Sequence, residues 1–199
     1  MIRLGISTEG ATEREFVSRV LRPHLAAFGI QATGVDLRGN VSLDKIRPVL
    51  PALLGSFDVV SSMYDFYQFK GRDNRSIDEL EAAILALVSQ EQQARFIPYV
   101  QRYEFEALLF SVPEQTVSWL QGSAATLVNM QEAVRRCGSP ELVNDSPQTS
   151  PSHRMKSLFA GYDKKLHGPD IVELAGLAAI RSECPRFDGW LSRLESLVD

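Results

Sequence analysis

The sequence predicts an α/β fold, a mostly parallel sheet covered by helices, followed by a helical C-terminal part. Three observations carry that expectation. Strand and helix patterns alternate over the first hundred residues, with short connections. From Glu104 onward the apolar spacing is helical alone. The 199 residues are 44% hydrophobic and 23% charged, which suffices to bury an ordinary core in one large domain, or in one domain with an appended helical part. The expected division is an α/β core over 1–110 and a helical extension over 111–199 packed on it.

Residues 2–7 read as a buried strand, with Ile2, Leu4 and Ile6 in an apolar run. Thr12 followed by Glu15 fits a capping box, opening a helix to about Phe28. Its apolar stripe is Phe16, Val17, Val20, Leu21 and Leu25, and Gly29 ends it. A weaker strand spans 31–38, interrupted by Asp36 and Arg38. Ser42 caps a helix over 43–54, with Pro48 as a kink. "FDVVSSMYD" is the third strand, and "FYQFKGRDNRS" a polar loop after it. Ser76 caps a third helix through Val88. "RFIPYVQRY" is a fourth strand, and Pro98 places it at an edge or a bulge. Beyond it, 104–111, 113–120, 126–138, 151–162, 170–183 and 187–198 all read as helices. "SPELVNDSPQTSPS" between them is a loop.

Several function classes are excluded. No apolar run approaches the roughly 18 residues of a membrane span. The N-terminus reads as a strand rather than a signal peptide. Cys137 and Cys184 lie far apart without metal spacing, as buried thiols of a reducing cytoplasm would. "GISTEG" lacks the phosphate-binding glycine spacing of a P-loop. There is no Gly-x-Ser-x-Gly elbow, and His24, His153 and His167 are not spaced for zinc. Trp119 and Trp190 sit among leucines at helical spacing and read as core. The net charge is −4, so nucleic-acid binding would need a local basic patch.

The acids carry the chemistry. In open parallel sheets, sites form beyond the carboxyl ends of the strands. Glu9 follows the first strand, Asp65 ends the third, and Glu104 and Glu106 follow the fourth. Clustered carboxylates repel, and desolvation penalises each. A hard divalent cation offsets both costs, and oxygen ligands suit Mg²⁺ or Mn²⁺. Glu13, one turn into the first helix, could reach the same ion. A plainer role competes: acids are favoured at helix N-termini. It suffices for Glu15 through the capping box, and it also fits Glu13 and Glu104. Glu106 lies beside the apolar residues Phe105, Leu108 and Leu109.

"STEGATEREF", "MYDFYQF", "QRYEFEALLFS" and the tail "SPSHRMKSLFAGYDKKLHGPDIVELAGLAAIRSECPRFDGWLSRL" resemble a bacterial family of unknown function, domain of unknown function 4276, with a Toprim-like fold. Toprim is the metal-binding α/β domain of topoisomerases, primases and OLD-type nucleases. The resemblance implies that Glu9 takes the place of the Toprim glutamate and Asp65 that of the first acid of Asp-x-Asp. Glu13 matches a second acid of the OLD-type stretch. Tyr67 stands where the second Asp of the motif would be, and tyrosine is a poor Mg²⁺ ligand. Glu104 or Glu106 would supply the missing carboxylate, or the metal site is weaker. The catalytic set expected is Glu9, Asp65 and Glu106, and the metal set Glu9, Glu13, Asp65, Glu104 and Glu106.

Two basic clusters could hold a phosphate backbone. One is Lys70, Arg72 and Arg75 in the loop after Asp65; the other is Arg154, Lys156, Lys164 and Lys165. Solvated surface charge is the plainer account of both. The expected function is a Mg²⁺-dependent nuclease or other phosphodiester-processing subunit. By analogy with OLD-type relatives it would work beside a separate ATPase, in phage or plasmid defence. The alternative is a non-catalytic adaptor that keeps the fold and binds that ATPase.

Overall fold

The computed structural model describes residues 1–144 and 147–198. They form two compact units, one from Met1 to Gln101 together with the segment from Ser192 onward, the other from Arg102 to Leu191.

The first unit opens with β1 (Ile2–Thr8). Helix α1 (Ala11–Phe16) runs through a π-helical turn, Val17–Leu21, into α2 (Arg22–Ala26). Pro23 has no N–H to give, and its ring crowds the carbonyl four residues back. A widened turn ahead of it relieves that crowding. The stripe of Phe16, Val17, Val20, Leu21 and Leu25 is buried, as its spacing predicts. Gly29, at φ +73°, turns the chain into β2 (Ile30–Asp36). The helix expected over 43–54 is two short ones, α3 (Leu43–Ile46) and α4 (Leu50–Ser56). Pro48 cannot donate in a helix interior, whereas Pro51 sits in the first turn of α4, where no donor is needed.

β3 (Val59–Asp65) is buried from Val60 onward. Ser76 and Glu79 form the capping box of α5 (Ile77–Leu85): Ser76 Oγ accepts the Glu79 N–H at 3.2 Å, and Glu79 accepts the Ser76 N–H at 2.7 Å. A short α6 (Gln90–Gln93) follows. The expected fourth strand is two, β4 (Phe96–Ile97) and β5 (Val100–Gln101), because Pro98 and its neighbour leave the ladder. Ser62 spans the gap with its side chain. Its Oγ accepts the Tyr99 N–H at 2.9 Å and donates to the Tyr99 carbonyl at 3.0 Å.

The strand order is β2-β1-β3-β4, with β5 also on β3, and every pair is parallel. The chain leaves β1 for β2 on one side and returns to β3 on the other. That reversal lies between β1 and β3, where open parallel sheets form a crevice beyond the strand ends.

The second unit begins with a tight 3₁₀ helix, Phe105–Ser111, in place of the regular helix expected there. It is followed by α7 (Pro113–Trp119), α8 (Ala124–Cys137), α9 (Pro151–Leu158), α10 (Lys164–Ala175), α11 (Leu177–Glu183) and α12 (Pro185–Glu195), which belongs to this unit as far as Leu191. The helix expected over 170–183 starts earlier, at the Asp163 cap, and breaks at Gly176, φ +80°. The predicted 139–152 loop carries two short 3₁₀ turns, Pro140–Leu142 and Pro147–Thr149; its Asp145 and Ser146 lie outside the described residues. Among the described residues no strand follows Gln101, and no helix is long and apolar enough to cross a membrane.

Candidate functional site

Glu9 and Asp65 come together because β1 and β3 are neighbours in register. Thr8 lies opposite Met63, so the residue after Thr8 reaches the end of β3. There the Asp65 backbone N–H donates to Glu9 Oε2 at 3.3 Å. Asp65 is fully buried and Glu9 half-buried. Just inside them, the Tyr64 hydroxyl donates to Ser7 Oγ at 2.8 Å, and burial pushes the Tyr64 phenol well up, so it stays neutral.

Glu13 is buried on the first turn of α1, and its Oε2 accepts the Gly10 N–H at 3.1 Å. This corrects the capping assignment. The N-cap is Gly10 in an extended conformation, not Thr12, so the third helical position is Glu13 and not Glu15. Glycine has no side chain to return the bond, so only half a capping box exists. Glu15 instead meets Arg14 at 3.1 Å on the surface.

Glu104 and Glu106 belong to the second unit. Glu104 Oε2 accepts the Ser152 N–H at 2.8 Å, at the N-terminus of α9, where a carboxylate suits the helix dipole. Glu106 is fully buried, with Lys164 Nζ 3.4 Å from its Oε2. Burial, with Glu106 nearby, pushes the Tyr162 phenol up. Glu106, Tyr162 and Lys164 thus form one polar cluster in a largely apolar setting.

The basic residues divide by what they touch. Arg75 Nη1 donates to the Gly71 carbonyl at 3.2 Å, to the Arg72 carbonyl at 3.4 Å and to Asp73 Oδ2 at 2.9 Å. Arg72 lies over the Phe66 ring, 4.4 Å from its centroid, and 5.5 Å from that of Tyr67. Lys70 is exposed, as are Lys156 and Lys165. Arg154 donates from Nε to the Thr149 carbonyl at 2.7 Å and lines a cavity of about 330 Å³ with Arg136 and Glu132. Trp190 is buried as expected, but Trp119 is 44% exposed. It is the last residue of the short α7, whose buried residues are Thr116 and Val117, and it borders an open groove with Tyr162 and His167. Helical spacing among leucines could not show that the helix stops there. The stacking of Arg72 was equally invisible, although an arginine five residues after a Phe-Tyr pair in a glycine loop was its trace.

A family model described as Domain of unknown function (DUF4276) matches residues 8–195. No curated protein matches. Among solved structures, the C-terminal region of the Burkholderia pseudomallei OLD protein is similar at a TM-score of 0.53 and 18% identity, over 100% of both chains. The C-terminal region of the Xanthomonas campestris pv. campestris OLD protein gives a TM-score of 0.43 and 16% identity, over 98% of this chain and 95% of that one. The likeness to the first is one of fold.

Proposed function

The chain belongs to the family described as Domain of unknown function (DUF4276), and on that premise we propose that it is a Toprim-like nuclease or other phosphodiester-processing subunit dependent on Mg²⁺ or Mn²⁺. The observation that carries the proposal is the meeting of Glu9 and Asp65 beyond β1 and β3, at the switch in strand order. The shared fold with an OLD C-terminal region supports it.

The donor chemistry fits a hard cation, since every candidate ligand is a carboxylate oxygen. Among the described residues no three His, Cys, Asp or Glu side chains form a complete metal-holding group. Mg²⁺ commonly takes only one or two carboxylates, leaving its other positions to water and substrate phosphates. Glu9 and Asp65 are therefore the proposed holders, with Glu13 one peptide away on the Gly10 N–H. A bound ion would neutralise charge on a scissile phosphate and acidify a water. The protein's own groups do the rest. Burial keeps bulk water from Asp65, and the Tyr64–Ser7 bond ties the ends of β1 and β3 together. Glu104 and Glu106 enter the proposal as acids of the second unit, Glu106 with Lys164 as counter-ion. Lys70 and Arg72, with Arg154, Lys156 and Lys165, are the proposed contacts to nucleic acid, and Arg75 holds the loop that carries the first two.

The proposed partner is a separate ATPase, in phage or plasmid defence. A non-catalytic adaptor for that ATPase is the alternative, favoured by the incomplete carboxylate set and by Tyr67. The deciding assay follows cleavage of single- and double-stranded DNA and RNA with EDTA, Mg²⁺ or Mn²⁺. Metal-dependent cleavage that falls about 10²–10⁴-fold in Glu9→Gln and in Asp65→Asn supports the nuclease. Cleavage that persists in both variants removes these acids from the site. No cleavage under any condition, with or without an ATPase partner, leaves the adaptor.

A further inference from the structure

The loop after β3 is built around one side chain. Arg72 sits between two residues in the left-handed region, Gly71 at φ +63° and Asp73 at φ +53°. Glycine takes that conformation without strain, but aspartate does so at a cost, so something must hold it. Arg75 does. Its guanidinium bonds the carbonyls of Gly71 and Arg72 and the carboxylate of Asp73, strapping the backbone on both sides of Arg72. The neighbouring Lys70 N–H is fixed to the Val41 carbonyl at 2.7 Å.

The strapped loop delivers the Arg72 guanidinium onto the Phe66 ring at 4.4 Å, with Tyr67 at 5.5 Å. Phe66 is itself buried, so the platform is rigid. An arginine lying over a ring is held through its charge and its face, which leaves the N–H donors along its edge for a hydrogen-bonding partner. Among the described residues no carboxylate or carbonyl accepts from that edge. The nearest acid in sequence, Asp73, is taken by Arg75. A half-buried, oriented guanidinium with its donors open is matched by an anion that presents two acceptor oxygens side by side, and two oxygens of a tetrahedral phosphate do so.

We propose that this loop is a phosphate-binding site in which Arg72 grips a phosphate group edge-on, Phe66 and Tyr67 hold its plane, and Arg75 shapes the loop without touching the ligand. The two arginines, alike in the sequence, have different work. That the phosphate belongs to a nucleic-acid backbone rests on the function proposed above; recognition of the phosphate itself does not.

The test is binding by the full chain in EDTA, where no metal-dependent step intrudes. Fluorescence anisotropy with labelled single-stranded DNA and RNA oligonucleotides is paired with thermal shifts in pyrophosphate and in a nucleoside monophosphate. Arg72→Ala should weaken oligonucleotide binding at least about tenfold and flatten its salt dependence by about one counterion. Arg72→Lys should recover little, because lysine keeps the charge but neither the plane nor the fork. Arg193→Ala, an exposed arginine of α12 outside both basic clusters, should stay within about twofold. Because EDTA removes any divalent ion from the assay, failure of the metal site leaves this result standing. If pyrophosphate and the mononucleotide bind through Arg72 but oligonucleotides do not, the site holds and its ligand is a terminal phosphate. Equal binding of every probe by Arg72→Ala and the parent, with both melting alike, overturns it, as does a parent that binds none of them.

Discussion

Asp65→Asn should leave the metal-free protein at least as stable as the parent and abolish its response to Mg²⁺ or Mn²⁺. The side chain is fully buried at the end of β3, with the Glu9 carboxylate on its own backbone N–H. Without metal, two acids share a desolvated edge, and removing one charge relieves repulsion while asparagine keeps the shape. With metal at 100 times its Kd, the parent gains about 2.7 kcal/mol from linkage. For a chain of this size each kcal/mol moves Tm by about 2–4 °C, so the parent should rise by about 5–11 °C. The variant should rise by less than about 2 °C, since one remaining carboxylate competes poorly with water for Mg²⁺. Differential scanning fluorimetry with EDTA, Mg²⁺, Mn²⁺ and matched ionic strength from KCl reads this directly. A metal-free Asp65→Asn protein that melts several degrees below the parent would make Asp65 a structural acid. A variant that keeps the full metal shift would place the ion elsewhere.

Gly5→Ala should destabilise β1, because a Cβ there falls within contact of the Phe57 ring; overpacking of this kind costs about 1–3 kcal/mol, and an unchanged melting temperature would show that Phe57 moves aside freely. Glu141→Ala should cost about 1.5–3 kcal/mol in urea denaturation and Glu141→Gln less, because its buried carboxylate accepts the Arg186 and Phe187 N–H groups, both at 3.0 Å, at the start of α12. Equal losses in the two variants would show that packing rather than charge matters there. The Arg3 guanidinium bonds Asp58 at 2.7 Å and lowers its carboxyl to about 2. A lowered folded-state pKa gives stability that is present above the unfolded value near 3.8 and lost as pH falls towards about 2. Asp58→Asn should therefore flatten the acid limb of stability between those values; the pair is fully exposed, so the effect is small and should shrink further in salt.

What was legible in the sequence follows from the range over which each signal acts. Glu9 and Asp65 could be placed together because parallel topology is a global rule: strand exits of a βαβ series share one edge, whatever the loops do. The one-residue difference between a helix starting after Gly10 and one starting after Thr12 is local, and it decided whether Glu13 or Glu15 closes the first turn. An extended glycine competes as N-cap with a threonine two residues on, and periodicity does not separate them. Pro98 announced an interruption at the sheet edge, but not that Ser62 would carry the ladder across it.

The cations were the least legible, for a physical reason that bears on function. A carboxylate at a strand end inherits its position from the sheet, whereas an arginine in a loop takes its position from loop dihedrals and long side-chain torsions. Arg72 and Arg75 differ by three residues and look interchangeable as charge. One binds two carbonyls and the Asp73 carboxylate of its own loop, and the other lies on an aromatic ring. Charge counting assigns both to nucleic acid; hydrogen-bond accounting ties one to its own loop and gives the other no hydrogen-bond acceptor among the described residues. Glu106 and Lys164 make the same point from the other side. A lysine counted as a phosphate contact lies 3.4 Å from a fully buried glutamate. Removing that lysine would take a counter-ion from a buried charge, and breaking a buried pair typically costs about 3–5 kcal/mol. Lys164→Ala should therefore fail first as a folded protein. Any loss of nucleic-acid binding in it carries meaning only beside an unchanged melting curve, whereas Lys165→Ala, at the next and exposed position, tests the same stretch of charge without that penalty.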